Sequence, residues 1–250
     1  MSTKANNIFK KLSSVIMVFA LLFGLLTVSG NTITAKAAES PVKMYYRDNQ
    51  VIYHGINKYT VYIQIAAGSA ATKAVAVHYR TYENEWVDAD AAFYTKLDSE
   101  TEIWKADIVG PGLTKYAIKY VGDSTVYWDN NNGNDYDFSQ PLGVANVKAV
   151  RTSYPSANNY TVAAAVKNLA YTKVVKVRYT QDNWATYQDA ELHYDHSISN
   201  TDSEIWTTTL KLDSSKTDNF HFCISYEVNG KTYWDNNFRD NYGYYFYNPY

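Results

Sequence analysis

The chain has 250 residues, with 25 acidic side chains against 23 Lys and Arg and a net charge of −2. That balance excludes the basic footprint of a nucleic-acid or anionic-lipid binder, and a single cysteine, Cys223, excludes an intramolecular disulfide. The anomaly is aromatic: 25 Tyr and 6 Trp, amphipathic rings that favour half-wet positions.

In chain order, residues 1–37 read as a signal peptide. Lys4, Lys10 and Lys11 precede an apolar stretch from Val15 to Val28, and Ala35-Lys36-Ala37 supplies the small-x-small cleavage pattern. The apolar stretch is short for a spanning helix of about 20 residues. The expectation is a secreted, extracellular protein with no membrane contact after cleavage. Without the four lysines of 1–37, the net charge falls to about −6.

The rest of the chain is β in pattern. Tyr59 to Ala66, Ala74 to Tyr79 and Tyr116 to Val121 alternate or run apolar, as do Val162 to Val166, Val174 to Tyr179 and Phe220 to Val228. Thr, Val, Ile and Tyr dominate these runs, and Asn, Asp, Gly and Ser separate them. The text is also written twice. Tyr127-Trp128-Asp129-Asn130-Asn131 returns as Tyr233-Trp234-Asp235-Asn236-Asn237, and Glu102-Ile103-Trp104 as Glu204-Ile205-Trp206. The boundary falls at Ser139-Gln140-Pro141-Leu142-Gly143, giving modules over 40–138 and 145–250. The expected fold is all-β: two tandem immunoglobulin-like antiparallel β-sandwiches, joined by a linker of about six residues that reaches roughly 20 Å.

A sugar ring presents a C–H patch on each face and hydroxyls around its edge. A Trp or Tyr face meets the patch, and neighbouring Asn, Asp and Lys bond the hydroxyls. Trp followed by Asp-Asn-Asn offers both kinds of group, twice. Trp86 and Trp184 lie in polar loop sequence, whereas Trp104 and Trp206 follow Ile at strand positions and read as core.

Val166 to Lys173 (VKNLAYTK) and Ser225 to Asn237 followed by Asn241-Tyr242 resemble starch-binding modules of carbohydrate-binding module family 21. The first module resembles it more loosely, through Trp86, Glu102 to Trp104 and Trp128 to Tyr136. The resemblance implies two binding surfaces. One holds Trp184 and Trp234, with Trp86 and Trp128 as counterparts and Asn130, Asn236 and Asn241 as polar partners. The other uses Tyr171, with Lys173 and Tyr194 nearby and Tyr94 as the first module's candidate. Ala117 and Cys223 stand where the family has a third aromatic, and Ala71 stands in place of Tyr171, so the second module is expected to bind more tightly. The implied function is non-catalytic binding of an α-glucan such as starch, glycogen or maltodextrin, with avidity from two modules. A secreted amylolytic enzyme is the protein partner such a module would assist.

The alternative is an extracellular structural or adhesive protein whose rings face a protein or the cell wall. A hydrolase would need two carboxylates facing one bond. Asp88, Asp90, Asp98, Glu100 and Glu102 are polar-loop candidates that the second half keeps only in part, so no enzyme activity is expected. No cofactor or metal is expected either: Asp129 to Asp135 departs from a calcium loop at its Gly and its twelfth position, and His193 and His196 have no partner ligands in sequence. The family's phosphatase-targeting role finds only Lys176-Val177-Arg178-Tyr179, inside an expected strand.

Overall fold

In a computed structural model, residues 40–53, 56–156 and 158–248 are described; the expected signal peptide lies outside them. The first half is built from β1 (Val42–Tyr53), β2 (Ile56–Ala66), β3 (Lys73–Arg80), β4 (Trp86–Lys96), β5 (Thr101–Gly110), β6 (Lys115–Gly122), β7 (Thr125–Asp129) and the two-residue β8 (Tyr136–Asp137). Period-two patterning decides their faces. In β2, Tyr59, Val61, Ile63 and Ile65 are buried while Thr60, Tyr62 and Gln64 between them are partly exposed. The strands pair antiparallel in the order β1-β2-β5-β4-β3-β6-β7, with β8 on β6.

This sheet curls because β4 is continuous. Its Trp86–Ala91 portion pairs with β3 and its Ala92–Lys96 portion with β5. The curl closes over a core of Val42, Met44, Val61 and Ile63 from one limb and Val77, Tyr116, Ile118 and Tyr120 from the other. Each such fully buried aliphatic side chain stabilises the fold by about 1.5–3 kcal/mol.

The second half has β9 (Val147–Val150), β10 (Asn159–Lys167), β11 (Lys173–Thr180), β12 (Gln188–Glu191), β13 (His193–Ser197), β14 (Ser203–Lys211), β15 (His221–Val228), β16 (Lys231–Asp235) and the two-residue β17 (Tyr242–Gly243). Here the counterpart of β4 is broken into β12 and β13 at Leu192, which turns into the core with 2% exposure. Two sheets result, β13-β14-β10-β9 and β12-β11-β15-β16 with β17 on β15. Val162, Ala164 and Leu210 meet Val177, Phe222 and Ile224 between them. The all-β expectation holds. A two-sheet sandwich forms in the second half, and one curled sheet takes its place in the first.

The expected linker is not a free connection. Residues 141–145 run along β1: the Arg47 N–H donates to Pro141 O at 2.8 Å, and the Val144 N–H donates to Met44 O at 2.9 Å. Leu142 is 1% exposed. Gly143 is required there, since a Cβ would lie 2.0 Å from Met44 O. The halves share a small core of Tyr46, Leu142, Ala145 and Ala165. Arg151 pairs with Asp48 across the junction at 3.0 Å, and the Lys148 ammonium lies 5.0 Å from the Tyr46 ring centre. The described residues from 40 to 248 accordingly form one compact unit.

Candidate functional site

Trp128 and Trp234 end their strands in the same way. Each is followed by a buried carboxylate, Asp129 or Asp235. Asp129 accepts the Met44 N–H at 2.6 Å and the Tyr136 hydroxyl at 2.8 Å. Asp235 accepts the Ala149 N–H at 2.6 Å and the Tyr242 hydroxyl at 2.7 Å. The aspartate of the repeated motif therefore ties its strand to β1 or β9 and cannot reach a ligand.

The asparagines after it close a turn. Asn130 Oδ1 accepts the Gly133 N–H and Asn236 Oδ1 the Arg239 N–H, both at 3.0 Å. Their amide nitrogens are what they can offer to a hydroxyl. Asn241 has φ +59, and its backbone binds the turn on both sides. It is a turn residue first.

The flanking acid locks Trp128 and Trp234 with their rings outward, 45% and 47% exposed. In the first half a row of rings crosses the sheet. Trp86 on β4 stacks on His78 of β3, with centroids 4.9 Å apart and planes at 12°, and Trp128 on β7 meets His78 edge-on at 5.5 Å. Small Ala117 on β6, opposite His78, leaves room between them. Three strand spacings make the row about 14 Å long. Asp88 joins His78 to Lys119, whose ammonium lies 2.9 Å from it. Its partial burial pushes the carboxyl pKa up, but the hydrogen bonds from His78 and Lys119 outweigh this and hold it below the usual value.

In the second half Arg178 occupies the place of His78. Its guanidinium lies 4.2 Å from the Tyr187 ring centre and 5.4 Å from that of Trp234. Two bonds of 2.8 Å to Asp189 hold its plane, and these hydrogen bonds raise its pKa further. Beside it Cys223 is buried, and desolvation pushes its thiol up to about 11, which keeps it protonated and inert. Sequence reasoning missed His78, Arg178 and Tyr187. It looked for the third ring at Ala117 and Cys223, one strand away.

Register corrects two pairings. Trp86 lies opposite Arg80, two residues beyond the His78–Asp88 pair. Counting equally beyond Arg178–Asp189 arrives at Tyr187, not Trp184. Trp184 is half-buried on a turn at φ +69, its N–H donating to Thr180 Oγ1 at 3.1 Å. Asp182, lowered to about 2 by hydrogen bonds from Thr180 and Thr186, fixes that turn.

The second correction concerns Tyr94. Phe93 faces Trp104 with centroids 6.2 Å apart at 85°, and Tyr194 faces Trp206 at 6.2 Å and 83°. Tyr94 is the extra residue of a bulge and points to the other face. There it packs against Tyr62 and Phe238 at the junction. Phe93, 51% exposed, is the true counterpart of Tyr194, 54% exposed.

Of the residues expected at the other surface, Tyr194 and Tyr171 are exposed and Lys173 is not. Tyr171 stands fully exposed on the loop before β11, and Leu169 is exposed nearby in the chain. Lys173 does not join them as a ligand. Its side chain is 3% exposed, and its ammonium binds Glu204 at 2.8 Å and Asn168 at 2.5 Å. Glu204 in turn holds Trp206 Nε1 at 3.0 Å. Lys73, Glu102 and Trp104 repeat this arrangement, which leaves both tryptophans half-buried against their cores, as expected for structural rings.

Residues 146–244 match the carbohydrate/starch-binding module, family 21; the first half lies outside the matched residues. Among curated proteins, the chain is 36% identical over 85 residues to protein phosphatase 1 regulatory subunit 3C of Rattus norvegicus, covering 33% of this chain and 27% of that protein. It is 36% identical over 80 residues to regulatory subunit 3B of Homo sapiens, covering 31% and 28%. The chain thus spans about a quarter of the length of the curated relatives it matches. Among solved structures, the starch-binding domain of Rhizopus oryzae glucoamylase, in complex with β-cyclodextrin and maltoheptaose, is similar at 22% identity and a TM-score of 0.34. That match covers 41% of this chain and 96% of that one. The carbohydrate-binding module of the muscle glycogen-targeting subunit of protein phosphatase 1 is similar at 26% identity and 0.32, covering 37% and 70%.

The family match supports carbohydrate binding by the second half. The relatives also overturn the expectation of a secreted, extracellular protein. They are regulatory subunits of protein phosphatase 1, for which an exported location does not follow.

Proposed function

We propose that this protein is a non-catalytic α-glucan binder for starch, glycogen or maltodextrin, built as two related modules over 40–138 and 145–250. The observation that carries the reading is the exposed Trp234, with Arg178 beside its ring and Tyr187 on the far side of that guanidinium, inside the segment that matches the carbohydrate-binding family. One glucose face stacks on the indole, and the Asn236 amide and Arg178 edge donate to its hydroxyls. Tyr171 and Tyr194 form the second contact of that half. The repeated aspartate latch, capped turn and Lys–Glu–Trp brace support the two-module reading. In the first half Trp86, His78 and Trp128 supply the platform, and Ala71 removes the counterpart of Tyr171.

Phosphatase binding through Lys176-Val177-Arg178-Tyr179 has no support from the fold. The segment lies inside β11 with strands on both sides, and Val177 is 0% exposed. A docking peptide must offer a free strand edge. The carboxylates nearest the platforms, Asp88 and Asp189, are engaged by cations and do not form the facing pair that hydrolysis needs.

The test is depletion on insoluble starch and on cellulose, with and without soluble maltoheptaose. Depletion by starch alone, reversed by the oligosaccharide, is the expected result. Equal retention on both polymers, or none on either, would sink the reading and turn attention to a protein partner for the rings.

A further inference from the structure

We propose that the glucan site at Trp234 is completed by the first half of the chain, through a sugar subsite formed with Lys96 and Leu97. This rests on the glucan reading above and extends it across the junction. The turn Asn237–Arg239 following Trp234 does not stand free. Phe238 inserts among rings of the first half, 5.4 Å from Tyr46, 5.2 Å from Tyr62 and 5.5 Å from Tyr94. Next to it, Arg239 Nη2 donates to Leu97 O at 3.4 Å. A cleft of about 200 Å³ remains, lined by Lys96, Leu97, Trp234, Asn236, Phe238 and Arg239.

Its size and chemistry define the ligand. Pockets for drug-sized molecules begin at roughly 300 Å³, so this one admits a single pyranose unit of a longer chain. One wall is the indole already assigned to stacking. The others carry an excess of donors: the remaining guanidinium N–H groups of Arg239 and the Asn236 amide, whose oxygen is taken by its own turn, beside the chain at Lys96 and Leu97. Such a wall suits the hydroxyl and ring oxygens of a neutral glucan. A polymer lying across Trp234 toward Tyr187 at one end enters this cleft at the other.

The opposite junction shows what one residue contributes. There the matching turn of the first half carries Asn132, with φ 57 and ψ 36, where Phe238 has φ 56 and ψ 37. No ring docks, and the space toward Lys167, Asn200 and Asp202 opens to about 670 Å³ with polar walls and no exposed indole. Only the second half's platform is prolonged by its neighbour.

The experiment compares the full chain with Arg239→Gln by calorimetric titration with maltotriose and maltoheptaose. The control is Lys216→Ser, an exposed lysine in the remote turn Ser214–Asn219. Arg239→Gln is expected to weaken maltoheptaose about fivefold, the effect of one lost hydrogen-bonding partner, and maltotriose less than twofold. In the unmodified chain, maltoheptaose is expected to slow amide exchange at residues 96–99. Unchanged maltoheptaose affinity in the variant, equal loss for both sugars, or unprotected amides at 96–99 would each overturn the subsite while leaving the Trp234 site standing. Failure of the unmodified chain to bind either sugar is a different result, and removes the underlying glucan reading as well.

Discussion

The turns Asn131–Gly133 and Asn237–Arg239 follow one backbone path, yet one faces an open cleft and the other fastens the halves together. Both are closed by an asparagine cap and contain consecutive residues at positive φ. The path therefore belongs to Asn130 and Asn236, not to the residue at the apex. Asparagine tolerates that conformation, whereas a phenylalanine there costs about 1–2 kcal/mol. Phe238 offsets this with several ring contacts, each worth about 0.5–1.5 kcal/mol beyond burial. A cap that fixes the main chain leaves the apex side chain available for a new contact.

The largest expected difference between the halves lies in their Lys–Glu–Trp braces. Lys173→Met leaves Glu204 uncompensated in a buried site and should cost about 3–5 kcal/mol. Lys73→Met should cost clearly less, since the Lys73–Glu102 side chains are 12% and 14% exposed against 3% and 10% for Lys173–Glu204. Urea unfolding of each variant decides this, and equal losses would mean that the braces are equivalent.

Phe238→Asn should lower stability by about 2 kcal/mol, as a half-buried ring gives less than a fully buried one. Asn132→Phe should cost about 1 kcal/mol, because its ring meets no partner to offset the strain. A neutral Phe238→Asn in the same unfolding assay would break the contrast between the turns.

For glucan affinity, Trp234→Ala should lose at least tenfold and Trp128→Ala about threefold, with cooperative unfolding kept in both. A variant that unfolds without a cooperative transition would make that tryptophan a core residue. Tyr187→Ala should weaken binding about threefold and Trp184→Ala less than twofold. The reverse order would restore the pairing of Trp86 with Trp184.

The smallest effect is that of acid on the junction. Burial raises the Asp48 pKa, but Lys148 and Arg151 outweigh it, so the carboxyl sits below its ordinary value in the folded chain. Its contribution is therefore present above about pH 4 and lost as pH falls through the lower folded value. Stability measured from pH 5 down to pH 2 should decline less steeply in Arg151→Gln than in the unmodified chain.

Much of the fold was legible because alternation and β-branched runs mark strands such as β2, β11 and β15 directly. The break at Leu192 was not, since one apolar residue in a polar stretch has no period. The outward Trp128 and Trp234 were legible from their polar neighbours. Tyr94 misled because a bulge adds one residue and turns every later side chain over; Tyr matched Tyr in the text while Phe93 took the face. Arg178 and His78 were invisible as platform members because they sit inside strand patterns, where alternation alone assigns them to an exposed face without a task. The junction could not be read either. Its rings come from Tyr46, Tyr62, Tyr94 and Phe238, which no local pattern groups together.

The carboxylate latches impose a timetable on synthesis. Met44 N–H waits for Asp129, 85 residues later, and Ala149 N–H for Asp235, 86 residues later. Since chains emerge from the N-terminus at about 5–20 residues per second, each half stays unlatched for several seconds at least. The first can close while the second is still being made. During that interval β1 has an unfilled hydrogen bond and an uncovered flank, because residues 141–145 arrive only after Asp129. The nascent protein is most open to mispairing before the first latch closes, when β1 lacks both that bond and its cover.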